Sequence, residues 1–365
     1  MKYSDLKFFV IFFIFLFCSH SIHAVNTIED QVFTIRNISV DIYSNTSEQA
    51  RDIALQEAQI KGFNKLMNKM LLKGEYDKIA NFDEDKILEL VEEIEVEDEK
   101  TTANRYIGKI VVKFKRNLVL RFLKSNNIKF SITKSKPLLI LPIYKYGGIT
   151  YLWDDKNIWK DLWNTSDDDG TLIPIRPSGG KFKDFIYFNP NQAIQKNLKN
   201  LEIIAANNNS TGVLIAILKK KYNRDKTKIE LNLDLSIHRF DGGPINNFKD
   251  TIEVDADAFS DDLLLEAKSK VENFVKNQWK VQNILSTKRN SMKLIVNFNN
   301  LKEWIDIREL INNVSIIDQY IIQNFSKDSA IISVSFSGNY NQLKIALKQS
   351  DLELNIKNKR VNLLK

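Results

Sequence analysis

The apolar positions of this chain change period many times, and the sharpest passage is Ile94 to Phe114. On the way in, Ile94, Val96 and Asp98 fall on one side of an extended segment, and Glu93, Glu95, Glu97 and Glu99 on the other. On the way out, Tyr106, Gly108, Ile110, Val112 and Phe114 alternate with Arg105, Lys109 and Lys113. Alternation on two arms around a polar turn predicts a β-hairpin over 93–115 with one dry and one charged face. A loop at Lys100 to Asn104 sets Glu95 opposite Lys109, Glu99 opposite Arg105 and Ile94 opposite Ile110. Each such cross-strand ion pair contributes roughly 0.2–1 kcal/mol. The plain expectation is a half-buried hairpin with solvated charges. The functional expectation makes Glu95, Glu97, Glu99, Arg105 and Lys109 a surface for a partner or ligand.

Around this hairpin the pattern predicts a first layer of order β-α-α-β-β-α-β. A strand covers Gln31 to Tyr43, and a helix that Thr46 or Ser47 can cap, Thr46 with Gln49 fitting a capping box, carries Ala50, Ala54, Ala58 and Gly62 every four residues. That small-residue stripe lets a helix lie close on a sheet, with Ile53, Phe63, Leu66, Met67 and Met70 widening the buried face. Asp83 starts a second helix, Asn117 caps a third, and Ile128 to Ile132 reads as a closing strand.

The run Leu138 to Tyr144 is apolar throughout and suits a strand buried on both faces. A helix capped by Asn189 with Pro190 in its first turn runs through Ile203. Strands follow at Val213 to Leu218, Ile229 to Ile237 and Thr251 to Val254, and a long helix at Ser260 to Val281. The tail reads β-α-β-β-α-β, with Asn300 and Asn341 as helix caps, which is the ferredoxin-like order. The expected fold class is therefore α+β / α/β, in three small mixed layers over 25–135, 136–285 and 286–365.

Three tryptophans crowd one stretch of the middle layer. Asn157 is placed to cap a helix that puts Trp159 and Trp163 on one face, and Trp153 precedes it. A small aromatic core under a loop is the favoured reading, and an aromatic cleft for a glycan or partner is the alternative. Thr165 to Gly170 fails two of the four positions that a calcium loop needs. Gly179 and Gly180 make a turn, and no glycine-lysine-threonine follows at the spacing that a phosphate loop requires.

The first residues change the chemical inventory. Lys2 and Lys7 flank the apolar run Phe8 to Phe17, and Ala24 ends a short segment after it, so 1–24 is expected to be a secretory signal peptide cleaved near Ala24. A retained anchor is the alternative, and bulky Phe17 argues against lipid attachment at Cys18. Cleavage takes away Lys2, Lys7 and Asp5, lowering the formal charge of +7 by one. It also removes Cys18, the single cysteine, along with His20 and His23, leaving His238. Disulfides, a zinc site and an iron–sulfur cluster then have no ligands, so no cofactor is expected. No glycine-x-serine-x-glycine elbow accompanies His238. Charges of both signs are interleaved, which gives no nucleic-acid footprint and at most a weak attraction to anionic membrane surfaces.

Two stretches carry a family likeness. VEDEKTTANRYIGKIVVKF at Val96 to Phe114, and KPLLILPIY with the following tryptophans at Lys136 to Trp163, resemble the bacterial exported family called domain of unknown function 2066. The alanine-spaced helix at Ala50 to Gly62 is similar to it too. A more distant fold analogy reaches the domains of TolB-type and FlgT-type periplasmic proteins. The resemblance implies an envelope protein of unassigned activity and supplies no catalytic residue. The expectation is an exported periplasmic module that binds a protein or envelope partner. A carboxylate-based hydrolase of cell-wall glycan and a small-ligand or lipid carrier are the alternatives.

Overall fold

The computed structural model describes residues 32–79, 82–164, 170–178, 184–185, 188–285, 289–357 and 360–364. The expected signal segment, the calcium test at 165–169 and the turn at Gly179 and Gly180 lie outside them. The fold class is the expected one: helices and strands in near-equal measure, built on three sheets.

The first layer holds β1 (Thr34–Tyr43), α1 (Ser47–Met70), α2 (Glu84–Leu90), β2 (Val91–Thr101), β3 (Arg105–Phe114) and α3 (Arg116–Ser125). The sheet order is β1-β3-β2, all antiparallel. Thr46 caps α1 by accepting the Gln49 amide at 3.2 Å. Ala50, Ala54, Ala58 and Gly62 are all buried, so the small stripe is a packing device as expected. A β-carbon on Gly62 would stand 3.1 Å from Ile38 Cδ1 and 3.3 Å from Val112 Cβ. Gly62→Leu is therefore expected to force helix and sheet apart and cost about 1–3 kcal/mol, read as a lower urea midpoint.

Three details of this layer differ from the pattern. Ile53 is exposed. Ile128, Phe130 and Ile132 are buried, but the stretch forms no strand, since only Phe130 bridges to Leu71. The third helix begins after Lys115 and not after Asn117.

The middle layer holds β4 (Leu138–Tyr146), β5 (Ile149–Tyr151), α4 (Ile158–Asp161), β6 (Ile175–Pro177), α5 (Pro190–Ile194), α6 (Leu198–Asn207), β7 (Gly212–Tyr222), β8 (Lys228–Arg239), β9 (Asn246–Asp255) and α7 (Asp261–Gln282). The sheet order is β5-β4-β7-β8-β9, with β6 also on β4. β4 and β7 are parallel, and β7, β8 and β9 are antiparallel. β4 is buried on both faces. One face joins Leu214, Leu235 and α7, and the other packs on α5 and α6 through Leu139, Leu141, Val213 and Ile204.

Pro142 sits inside this central strand and its position explains why it is tolerated. β6 pairs with Leu138 to Ile140 and β5 with Tyr144 to Tyr146, so Pro142 falls in the gap between them. Its carbonyl accepts the Asn157 side-chain amide at 2.8 Å. The missing N–H faces the same gap, where no ladder partner waits for it. The single helix expected from Asn189 through Ile203 is two. The Asn189 capping box holds, but Lys196 turns left-handed at φ +56° and Asn197 caps a fresh start.

The last layer holds β10 (Arg289–Asn297), α8 (Leu301–Asn312), β11 (Ile317–Phe325), β12 (Ser329–Ser337), α9 (Tyr340–Gln349), β13 (Glu353–Lys357) and β14 (Arg360–Leu364). The expected β-α-β-β-α-β order is followed through β13. A fifth strand, β14, then turns back and inserts between β13 and β10, parallel to β10. Asn300 caps α8 as expected, whereas α9 starts from an Asn339 capping box, not from Asn341.

The layers share one continuous apolar core. α7 ties the middle to the first: Trp279 Nε1 donates to Thr133 O at 2.6 Å, and Leu285 N to Phe130 O at 2.8 Å. The Lys280 ammonium donates to Leu71 O at 2.8 Å and to Asn68 O, carbonyls left open at the end of α1. Burial, with Lys276 alongside, brings its pKa from 10.5 down to about 8. A lowered lysine pKa means that the unfolded chain holds a proton the folded one has lost between pH 8 and 10.5, so stability rises with pH across that window. Tyr76 and Tyr144, each pushed by burial up to about 12, act the other way above pH 10. Urea midpoints should climb from pH 8 and turn down above pH 10, and Lys280→Met should abolish the climb.

Candidate functional site

The hairpin residues were expected to pair along β2 and β3, and the register overturns that pairing. Glu95 faces Val111, Glu99 faces Gly108, and Ile94 faces Val112. Two irregularities in β2, at Glu92 and Glu97, and a tight turn closed by Thr102 N to Arg105 O at 2.9 Å shift the ladder. An inserted residue reverses which side the following side chains face. Past Glu97, Asp98 therefore stands opposite Lys109, and Glu99 turns to the helix side. There it accepts the Tyr106 hydroxyl at 2.7 Å and lies 3.8 Å from Arg51. β3 is also the central strand, so Arg105 is claimed by β1. It binds Asp41 bidentately at 2.8 and 2.7 Å and stacks over Tyr43 at 4.7 Å. That pairing holds the Asp41 carboxyl below its ordinary value. Arg36 reaches Glu97 at 3.2 Å. Glu95, Glu97 and Glu99 are all exposed. Glu99 and Lys109 line one 420 Å³ surface cavity with Asp41, Lys61 and Asp98.

The tryptophans separate. Trp159 and Trp163 are 0% and 2% exposed and meet edge to face at 5.3 Å. Trp159 Nε1 donates to Ala216 O at 3.0 Å. Trp153 is half-buried, donates to Phe188 O at 2.8 Å and leans on Phe185. Trp159 and Trp163 join the main core on the α7 side of the middle sheet, as the core reading expects of them, whereas Trp153 packs on the α5–α6 side. The cleft reading fails for Trp159 and Trp163, because neither presents a face to solvent.

His238 meets Ser236 Oγ at 3.2 Å through Nε2, a pairing that two residues on one strand face can make. Ser236 and His238 are only 1% and 5% exposed, and His238 Nδ1 has no partner among the described residues. Burial, then Lys196, lowers the His238 pKa. A nucleophile needs access and its base needs an orienting acid. Neither condition is met here.

The site that the pattern did not point to lies where β4, β5 and β7 end together. The parallel register sets Lys145 directly against Lys219, and Tyr144 against Leu218. On one side of the sheet stand Lys145, Lys219 and Lys221. On the other, Lys220 is surrounded by rings: its Nζ lies 3.4 Å from the Phe259 ring centre, 5.4 Å from Tyr146 and 5.9 Å from Tyr222. Tyr144 stacks on both Tyr146 and Tyr151. Burial lowers the Lys220 pKa, and Tyr146, with burial, raises that of Tyr222.

These side chains and the Gly147–Gly148 turn line a 610 Å³ surface cavity. Four lysines line it, and none makes an ion pair among the described residues. The clues in the sequence are YKYGG at Tyr144 to Gly148 and KKKY at Lys219 to Tyr222. Only the parallel pairing of segments some seventy residues apart brings them together.

Among the described residues no cluster of three or more His, Cys, Asp or Glu side chains could hold a metal ion, and no helix is long and apolar enough to cross a membrane. No family model matches the chain, and no curated protein matches it.

Proposed function

We propose that this chain is an exported envelope protein that resides in the periplasm after cleavage near Ala24 and binds a protein or envelope partner without turning it over. The observation that carries this reading is where its polar chemistry lies. The acids of the hairpin are exposed, Glu92, Glu97 and Glu99 each lie beside a cation at 3.7, 3.2 and 3.8 Å, and the Ser236–His238 pair is sealed inside the middle sheet. A general acid works from an apolar setting, and the strand acids of the hairpin face solvent. What the surface offers is recognition: a hairpin rim of alternating sign and, in the next layer, a cavity of unbalanced lysines. The resemblance to domain of unknown function 2066 points the same way.

The test is site-specific photocrosslinking in intact envelopes. A probe at Glu95 or Lys109 should yield one or a few discrete adducts, and a probe at Asn355 on the last layer should not. A ladder that is identical from all three positions would overturn the hairpin as the contact. Hydrolysis of envelope glycan by the purified chain, lost on neutralising one acid, would overturn the binding role.

A further inference from the structure

We propose that the chain forms a two-fold dimer through β11, the free edge of the last sheet. This goes beyond the partner binding above and gives the edge one occupant, a second copy of the chain. β11 ends the order β11-β12-β10-β14-β13 and has no ladder partner on its outer side among the described residues. An open edge offers a row of unpaired backbone N–H and C=O groups, and folded proteins guard such rows with charge, brevity or a covering element. The other edges of the three sheets are guarded. Along β1, Ser39 O and Asn37 O accept the ammonium groups of Lys61 and Lys65 at 3.3 and 3.1 Å. β2 is lined with acids, and β9 carries Lys249, Asp250, Glu253 and Asp255. β5, β6 and β13 are only three, three and five residues long. β11 runs for nine residues with Asp318 as its one charged side chain, and Arg289 takes up that carboxylate at 3.5 Å.

Apolar surface gathers at the same edge. Ile321 is 60% exposed, and Ile322 and Phe325 are exposed as well. Leu301, Ile305 and Arg308 fall in one line along α8. Arg308 Nε donates to the Tyr320 hydroxyl at 3.1 Å, which sets that line beside β11, and Leu301 and Ile305 are both exposed. The strand itself says what covers it. IDQYIIQNF reads nearly alike from both ends: about Ile321, Tyr320 answers Ile322, Gln319 answers Gln323, Asp318 answers Asn324 and Ile317 answers Phe325. An antiparallel pair with its two-fold axis at Ile321 sets Ile321 against its own copy, Tyr320 against the second copy's Ile322 and Gln319 against the second copy's Gln323. Aromatic and β-branched side chains favour each other across strands, and no like charges meet. Such an interface is self-complementary and closes at two copies. The ladder to β12 shifts at Asp318 and at Gln323, so the regular stretch is short and holds Ile321. A strand from a different protein would place no demand of symmetry on β11.

Sedimentation velocity of the purified chain across micromolar concentrations should show a reversible monomer–dimer equilibrium. Ile321→Lys sets two ammonium groups face to face at the axis and should raise the dissociation constant at least about tenfold. Because Ile321 is exposed, the thermal midpoint of the dilute variant should stay that of the parent monomer. Ile321→Glu should dissociate the dimer likewise, and an equal mixture of the two variants should restore it as a heterodimer. With Cys18→Ser as background, oxidation should link Ile321→Cys to itself and Gln319→Cys to Gln323→Cys. It should not link Gln319→Cys to itself, because directly opposed residues alone fall within disulfide reach.

A monomer at every concentration would overturn the proposal, as would a dimer that Ile321→Lys leaves intact. Linkage of Gln319→Cys to itself as fast as to Gln323→Cys, or assembly beyond two copies, would overturn the two-fold pairing. Any of these failures leaves the hairpin crosslinks of the first layer untouched, and loss of those crosslinks leaves this edge in place.

Discussion

Asp241→Ala is expected to lower stability by about 3–5 kcal/mol, the range seen when one member of a buried ion pair is removed. The Arg239 and Asp241 side chains are 3% and 0% exposed. Arg239 Nε donates to Asp241 Oδ1 at 2.9 Å, and a second guanidinium nitrogen donates to Oδ2. The carboxylate also accepts Gly243 N at 3.1 Å and Gln349 Nε2 at 2.7 Å. Its alanine variant would leave a guanidinium in the interior facing only the Trp279 ring, 4.4 Å away.

The loss should reach beyond the middle layer, because Gln349 belongs to α9. Its amide oxygen accepts Lys136 N at 2.7 Å, at the entry to β4, and Thr211 lies within reach at the entry to β7. One amide thus bridges the start of the middle sheet, the end of β8 and the last layer. Urea unfolding should show the drop in midpoint, and hydrogen exchange should show α9 and the end of β8 losing protection together. A change below 1 kcal/mol, or exchange confined to β8, would count against the junction. Asp241→Asn keeps the acceptor and should cost less, while replacing both partners with leucine and methionine should recover much of the loss.

The same junction shows what can be read from a chain of this kind. Period-two and period-3.6 segments found almost every element, because each must bury one face and the sequence writes that face locally. Thr46, Asp83, Asn157, Asn189 and Asn300 all cap helices where the pattern placed them, since a cap is a contact between residues two or three apart. The misses are of another kind. An inserted residue at Glu97 leaves the run of acids looking regular, yet it turns Glu99 from the solvent side to Tyr106. β14 changes the last sheet by where it inserts, and nothing in its own five residues says which neighbours it will take. The tryptophans looked alike in sequence, and it is the two faces of the middle sheet that tell them apart: Trp159 and Trp163 are buried on the α7 side, and Trp153 is half-buried on the α5–α6 side. The lysine–tyrosine cavity depends on the pairing of β4 with β7, so each half passed as an ordinary strand end.

Asn157→Asp should cost about 3 kcal/mol or more at neutral pH, although it exchanges a single NH₂ for an oxygen. Asn157 is fully buried. Its Nδ2 donates to Pro142 O at 2.8 Å and Leu152 O at 2.9 Å, and its Oδ1 accepts Lys160 N at 3.1 Å. An aspartate would set a second oxygen against both carbonyls, and each buried acceptor stripped of its donor costs about 1–3 kcal/mol before charge is counted. The new carboxyl can relieve this only by taking a proton, so its folded pKa must rise above the unfolded value of about 3.9. For an acid with a raised pKa the penalty is full above the folded pKa and fades as pH falls toward the unfolded one. The variant should therefore be furthest below the parent at pH 7 and approach it near pH 4, whereas Asn157→Ala should lose a similar amount at every pH.

Near-UV circular dichroism should report the change, because Trp159 follows two residues later with its indole fixed on Ala216. The effect should carry to the cavity, since Asn157 is the partner that closes the gap in β4 between its two short neighbours. With that gap open, Tyr144 to Tyr146 lose the anchor upstream of them, and their amides should exchange faster at pH 7 even though none of these residues has been altered. A variant with parent stability and parent exchange would show that the Pro142 carbonyl finds another donor and that the gap in β4 needs no closing.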